Sequence, residues 1–535
     1  MALFSVKFFL FIAALLLMYY LLPRKTQWIV LLCGSIVFYY LAGGLKAGVF
    51  LTLTVLSTWY AGMRMDLITE AETAKLKGGE TPLSRDEKKA VKAEAAKARH
   101  RWLVAGMVFN FGILGVLKYL NFLIGNINGV LGRLGAEAVL PVFQWILPLG
   151  ISFYTFQSTG YLLDLSNGRT RAERNLFRYA LFASYFPQII QGPISKHQDL
   201  APRLFAEHPF NEQKLREGFL RLLWGYFKKL VIAERAALVI NEVMANYEAE
   251  GYAGFTVFLG VLAFGIQMYG DFSGGIDMIC GVSEMLDIDL IENFRQPYFA
   301  KDISEFWQRW HISLGHWMKD YVFYPIALSK PFNRMQKSIK KKWGLYYGKM
   351  LPAVIASFIV FLLVGLWHGP AWHYIAFGVY HAIFTSIDSL IEKPAARALE
   401  VLHIDGSSVG WNVFRMLRTI FFVTIGRYFD CALSLRIALG MLKATFSSFN
   451  PWIFFDGSLY KHGLNGKELS ILLLAVAVLL VVDIVNERGT RVRAVVAKQG
   501  FVFRQIVYFA AIFVILIFGL YGPGYDAASF IYQGF

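Results

Sequence analysis

A histidine directly followed by a helix breaker is the sharpest chemical feature of this sequence. In Val364-Gly365-Leu366-Trp367-His368-Gly369-Pro370, between two apolar runs, Gly369-Pro370 stops a helix just after His368. The imidazole therefore lies at a break, where backbone groups and cavity space are available. So placed, the imidazole is a candidate catalytic group. A core histidine with only a structural hydrogen bond is the other reading. A metal trio is not expected, because no HExxH spacing occurs and His373 and His381 would fall about 80° apart on one helix.

Two further clusters place polar groups where apolar ones would be cheaper. Glu305 to Tyr321 is dense in Trp and Arg. As one continuous helix it would set Trp307, His311, Leu314 and Tyr321 on an aromatic face, and Arg309, Ser313, His316 and Asp320 on a polar one. That points His311 into the hydrophobic interior and leaves the polar face at the headgroup level. Gln267 to Asp277 holds two carboxylates, Asp271 and Asp277, around the small run Ser273-Gly274-Gly275. Six positions turn a helix by about 600°, so the two point to opposite sides and do not share one proton. Small residues suit close helix packing, and contact of Asp271 and Ser273 with a substrate is the alternative. Ionisable groups inside a span are costly and usually mark either a site or a paired structural contact.

The elements that must position these residues are membrane helices. Of 535 residues, 56% are hydrophobic and only 17% charged, whereas a soluble domain carries about a quarter charged residues. Apolar stretches long enough for a hydrocarbon layer of about 30 Å recur along the whole length. They predict an all-α polytopic membrane protein with roughly eleven to thirteen membrane segments. Phe4 to Leu22 has no small-residue cleavage pattern, so a retained span is expected rather than a removed signal peptide. Residues 1–63 read as N-terminal transmembrane helices, 64–101 as a charged, helical cytoplasmic connector, and 102–535 as the membrane core. Pro187 and Pro193 make 185–193 a candidate re-entrant hairpin.

The net charge of +16 would raise the question of nucleic acid in a soluble protein. Here it reflects basic loops, and no nucleic-acid partner is expected. Arg24-Lys25, the 64–101 segment and Lys330 to Lys349 all belong inside, which puts the N-terminus outside. Cys33, Cys280 and Cys431 form no CxxC or Cys/His spacing, so neither a disulfide framework nor a zinc site is expected.

Several signatures along the chain resemble the membrane-bound O-acyltransferase family, in its bacterial envelope-polysaccharide branch. They are Gly150-Ile151-Ser152-Phe153-Tyr154-Thr155-Phe156-Gln157, the Phe186 to Pro193 segment, Asp271-Phe272-Ser273-Gly274, Glu292-Asn293-Phe294, Phe306 to Leu314, Leu366-Trp367-His368-Gly369 and Phe530-Ile531-Tyr532. Their order and their spread from about residue 100 to the end carry the resemblance. It implies a ring of helices, some re-entrant, around a thin central waist reached by tunnels from both faces, with 102–535 as the catalytic core. It also implies that His368 is the catalytic residue and His311 its partner. Trp367, Trp310, Arg309, Asp271, Ser273, Gln157, Gln191 and Asn293 follow as tunnel-lining or supporting residues. Two departures stand out: the basic insertion between Leu328 and Leu351, and Arg427-Tyr428-Phe429-Asp430 where Phe-Phe-Arg is more usual.

The activity so implied is transfer of an acyl group, acetyl first, from a cytoplasmic thioester to hydroxyls of a cell-envelope polysaccharide. The donor would be acetyl-CoA or an acyl chain on a carrier protein's phosphopantetheine arm, with no bound cofactor or metal. An extracytoplasmic esterase-like (SGNH) partner would complete transfer, and the protein would sit in the cytoplasmic membrane. D-alanyl transfer to teichoic acid is the alternative within the family. A polytopic transporter or flippase is the alternative of another class, against which the absence of paired inverted halves counts.

Overall fold

The computed structural model describes residues 3–78, 83–135, 140–144 and 147–521. The Phe530-Ile531-Tyr532 signature lies outside the described residues. Among those described, the regular structure is helical, with one isolated antiparallel bridge between Phe294 and Trp310. Among the described residues seven helices are long and apolar enough to cross a membrane, and the chain is a multi-pass membrane protein. It divides into two compact units, Met1–Leu215 with Val282–Leu290, and Arg216–Gly281 with Ile291–Phe535.

The first unit begins with α1 (Val6–Leu21), whose Ser5 cap accepts a hydrogen bond from the Phe8 amide at 3.2 Å. Two long helices follow, α2 (Gln27–Lys77) and α3 (Arg85–Arg133). Of the charged 64–101 segment, residues 64–77 form the end of α2 and residues 85–101 the start of α3. Good helix formers carry the helices past the apolar part, a capping box at Ser84 and Glu87 starts α3, and the Arg99–Glu72 ion pair joins the two. Shorter helices complete the unit: α4 (Ile151–Ser166), α5 (Leu176–Ser184), α6 (Phe186–Gln191) and α7 (His197–Phe205). Gly150, at φ +69°, opens α4 where a Cβ would collide with the Ile189 carbonyl.

The second unit is carried by α8 (Glu212–Tyr226), α9 (Glu234–Glu250) and α10 (Gly254–Met285), with a π-helical turn over Phe227–Ala233. Next come the short α11 (Ile303–Arg309), α12 (Ile312–Met318) and α13 (Tyr324–Ala327), then the long α14 (Lys330–His368) and α15 (Trp372–Val401). α16 (Val409–Cys431), α17 (Leu435–Ser447), α18 (Gly466–Glu487), α19 (Val492–Ala497) and α20 (Phe501–Phe518) follow. Most of the basic insertion forms the first part of α14, which kinks within it at Gly344, φ +86°.

One expectation fails here. The 305–321 stretch is not one helix, so Trp307, His311, Leu314 and Tyr321 do not share a face, nor do Arg309, Ser313, His316 and Asp320. The chain breaks at Trp310–His311, with His311 at φ +47°, and turns π-helical over Lys319–Phe323. A competing backbone partner causes the break. The Arg295 amide donates to the Arg309 carbonyl and the Ile312 amide to the Asn293 carbonyl, both at 3.0 Å, replacing bonds a continuous helix would make with itself.

Candidate active site

His368 ends α14, and its side chain is 3% exposed. Close packing of small residues fixes the hairpin that presents it. A Cβ on Gly365 would meet Gly378 Cα of α15 at 3.0 Å and run into the Tyr374 carbonyl. α15 then grips α16: His373 Nδ1 lies 2.8 Å from the Phe429 carbonyl oxygen. The next residue, Asp430, places its Oδ1 3.7 Å from His368 Nδ1. A narrow pocket lies at this pair, lined also by Phe306, Trp307, Trp310, Phe377, His381 and Arg427.

The pocket's aromatic wall is itself tied down. Trp307 donates its indole N–H to His381 Nδ1 at 3.2 Å. Trp310 stacks on Phe306 with ring centres 5.5 Å apart, and the Arg427 guanidinium lies 5.1 Å from its ring centre. Arg427 also donates to the Tyr298 hydroxyl at 3.2 Å.

His311 reaches the same neighbourhood through Trp367. The His311 and Trp367 rings meet edge-to-face at 5.5 Å, and Trp367 meets His368 in the same manner at 5.4 Å. The left-handed backbone at His311 is held by Asn293, whose Oδ1 accepts the Ser313 amide at 2.9 Å and lies 3.3 Å from His311 Nδ1. Phe272 of α10 packs edge-on against the His311 ring at 4.8 Å.

The remaining sequence candidates lie elsewhere. Asp271 pairs with Lys229, and Ser273 accepts from Lys228 Nζ at 2.9 Å, so both face the π-helical turn rather than the His368 pocket. Asp277 is bound separately by Arg221 at 2.8 Å and Lys228 at 2.6 Å. The two carboxylates thus have separate cations and do not share a proton, but they do not point to opposite sides of α10, since both meet the Arg221–Lys229 stretch. Arg309 makes a two-armed contact with Glu487 at 2.8 and 2.9 Å and also binds Glu305, which ties α11 to α18. Burial opposes ionisation of Glu305, yet the Lys301 amide and the Arg309 guanidinium hold its carboxyl below the usual range. Gln157 and Gln191 belong to the first unit, where Gln157 donates to the Phe182 carbonyl at 2.8 Å and Gln191 is fully buried.

Sequence reasoning missed Asp430, Arg427, Trp307 and His381 as neighbours of His368. The one signal was the unusual Arg427 to Asp430 stretch at the end of an apolar run.

A multi-pass helical protein with an imidazole and a carboxylate buried side by side at a helix end has the form of a membrane-embedded enzyme. Comparison with known proteins gives its class. The membrane-bound O-acyltransferase family model matches residues 166–423. The chain is 32% identical over 481 residues to a probable alginate O-acetylase of Azotobacter vinelandii, covering 90% of this chain and 84% of that one. It is 30% identical to a peptidoglycan O-acetyltransferase of Helicobacter pylori across 64% of each. A teichoic acid D-alanyltransferase of Bacillus subtilis is 32% identical over 47% of this chain and 62% of its own length. The chain belongs to the membrane-bound O-acyltransferase family, and the transporter reading gives way to an acyltransferase.

Proposed function

We propose that this protein transfers an acetyl group from a cytoplasmic thioester to hydroxyls of a cell-envelope polysaccharide, directly or through an extracytoplasmic esterase-like partner. The observation that carries this reading is the His368 imidazole, buried at the end of α14 and lining a pocket in a chain of this family. Acyl transfer from a thioester needs a base for the hydroxyl proton and surroundings that discourage hydrolysis. His368 serves as that base: it takes the hydroxyl proton as the oxygen attacks the thioester carbon, the carbon–sulfur bond breaks, and the departing thiolate receives the proton. General-base action of this kind contributes about 10²- to 10⁴-fold. His311, one indole away, orients the thioester carbonyl or braces Trp367. Acetyl stands before D-alanyl because relatives named for alginate O-acetylation match about 90% of the chain, whereas the D-alanyltransferases match under half.

The test is the alkali-labile ester content of envelope material from cells carrying the wild-type protein or His368→Ala at equal membrane levels. Acetate released from the first and not the second supports the reading, and released D-alanine redirects it to the other acyl group. Equal ester content in both strains refutes it.

A further inference from the structure

Asp430 is an expensive residue for its position. It stands next to last on α16, where the helix dipole disfavours a negative charge, and its side chain is only 4% exposed. Two other carboxylates of this unit are matched to permanent cations, Asp271 to Lys229 and Asp277 to Arg221 and Lys228, while the buried Asp483 accepts a hydrogen bond from the Tyr269 hydroxyl at 2.9 Å. Arg427, one turn before Asp430, turns its guanidinium to the Tyr298 hydroxyl and the Trp310 ring instead. The basic group at ion-pair distance from Asp430 is His368, whose charge is negotiable. The carboxylate is also held in register from outside, since His373 grips the carbonyl of the preceding residue, Phe429.

We infer that Asp430 is the positioning residue of the transfer site, holding His368 with its proton on Nδ1 so that Nε2 is the nitrogen that takes the hydroxyl proton. This rests on the assignment of His368 as base. When Nε2 accepts the proton the ring becomes an imidazolium, and the carboxylate facing Nδ1 balances the new charge; as Nε2 passes the proton to the thiolate, the pair returns to its starting state. No proton moves to Asp430. The 3.7 Å separation is longer than a hydrogen bond, and closing it to about 2.9 Å takes a movement of under about 1 Å. Catalytic contacts of this kind tighten once substrate is bound. The cost of burying a carboxylate at a helix C-terminus is then offset by function rather than by stability.

The experiment compares Asp430→Asn, Asp430→Glu and His368→Ala in the full chain, reading the initial rate of ester appearance after induction and the melting temperature of the detergent-extracted protein. The expected result is a rate about 10²- to 10⁴-fold lower for Asp430→Asn, with an unchanged or higher melting temperature. Asp430→Glu, which keeps the charge, recovers part of the rate. A double His368→Ala/Asp430→Asn variant is no slower than His368→Ala alone. A wild-type rate in Asp430→Asn overturns the inference, as does a fall in rate matched by loss of folded protein, which marks Asp430 as structural. Should His368→Ala itself keep the wild-type rate, the base assignment fails first; should it lose the rate while Asp430→Asn keeps it, only the role of Asp430 fails.

Discussion

Arg309 and Glu487 meet through two parallel N–H···O bonds of 2.8 and 2.9 Å, although 178 residues separate them. This fork joins the helix before the His311 break to the end of a membrane helix, and a single ammonium cannot reproduce it. Arg309→Lys is therefore expected to lower stability by about 1.5–3 kcal/mol, the range for hydrogen bonds to charged groups. Thermal melts of the detergent-extracted protein will register it. Ester formation should fall only in proportion to folded protein, which separates this arginine from the residues lining the pocket.

The Lys229–Asp271 pair makes a different prediction, because both side chains are under 5% exposed. Removing one partner strands a buried charge, at a cost of about 3–5 kcal/mol, whereas removing both leaves nothing to solvate. Lys229→Met should therefore sharply reduce the protein recovered from membranes, and Lys229→Met/Asp271→Asn should restore most of it. If the double variant is as poor as the single one, the pair is not the structural lock its geometry describes.

Close contact between α14 and α15 rests on two glycines. A Cβ on Gly365 meets Gly378 Cα at 3.0 Å, and one on Gly378 meets Gly365 Cα at 3.1 Å. Gly365→Ala must push the hairpin apart or displace Tyr374, costing about 1–3 kcal/mol by overpacking. His368 moves with α14, so the transfer rate per folded molecule should drop as well, and rate measurements normalised to folded protein check this.

His311 occupies the left-handed backbone region at φ +47°, ψ +51°. Asparagine tolerates that region and valine does not. His311→Asn should keep the protein in the membrane while lowering ester formation through loss of the ring that packs on Trp367 and Phe272. His311→Val should lower the amount of folded protein itself. Protein levels and ester content measured together distinguish the two effects.

Much of the architecture is written in local sequence. Apolar runs mark the spans, and Gly369-Pro370 ends the helix at His368. Each is a property of neighbouring residues, which the length of an apolar run or a proline's missing N–H settles without reference to the rest of the chain. What joins distant positions was decided by tertiary structure. The break at His311 comes from backbone bonds to the Asn293–Arg295 segment, which no periodicity within 305–321 reveals. His368 and Asp430 are 62 residues apart and meet only because two glycines and the His373–Phe429 contact set three helices against one another. A helix fixes which way a side chain points relative to its own axis; which partner it faces depends on how the axes pack, and that is a property of the whole chain.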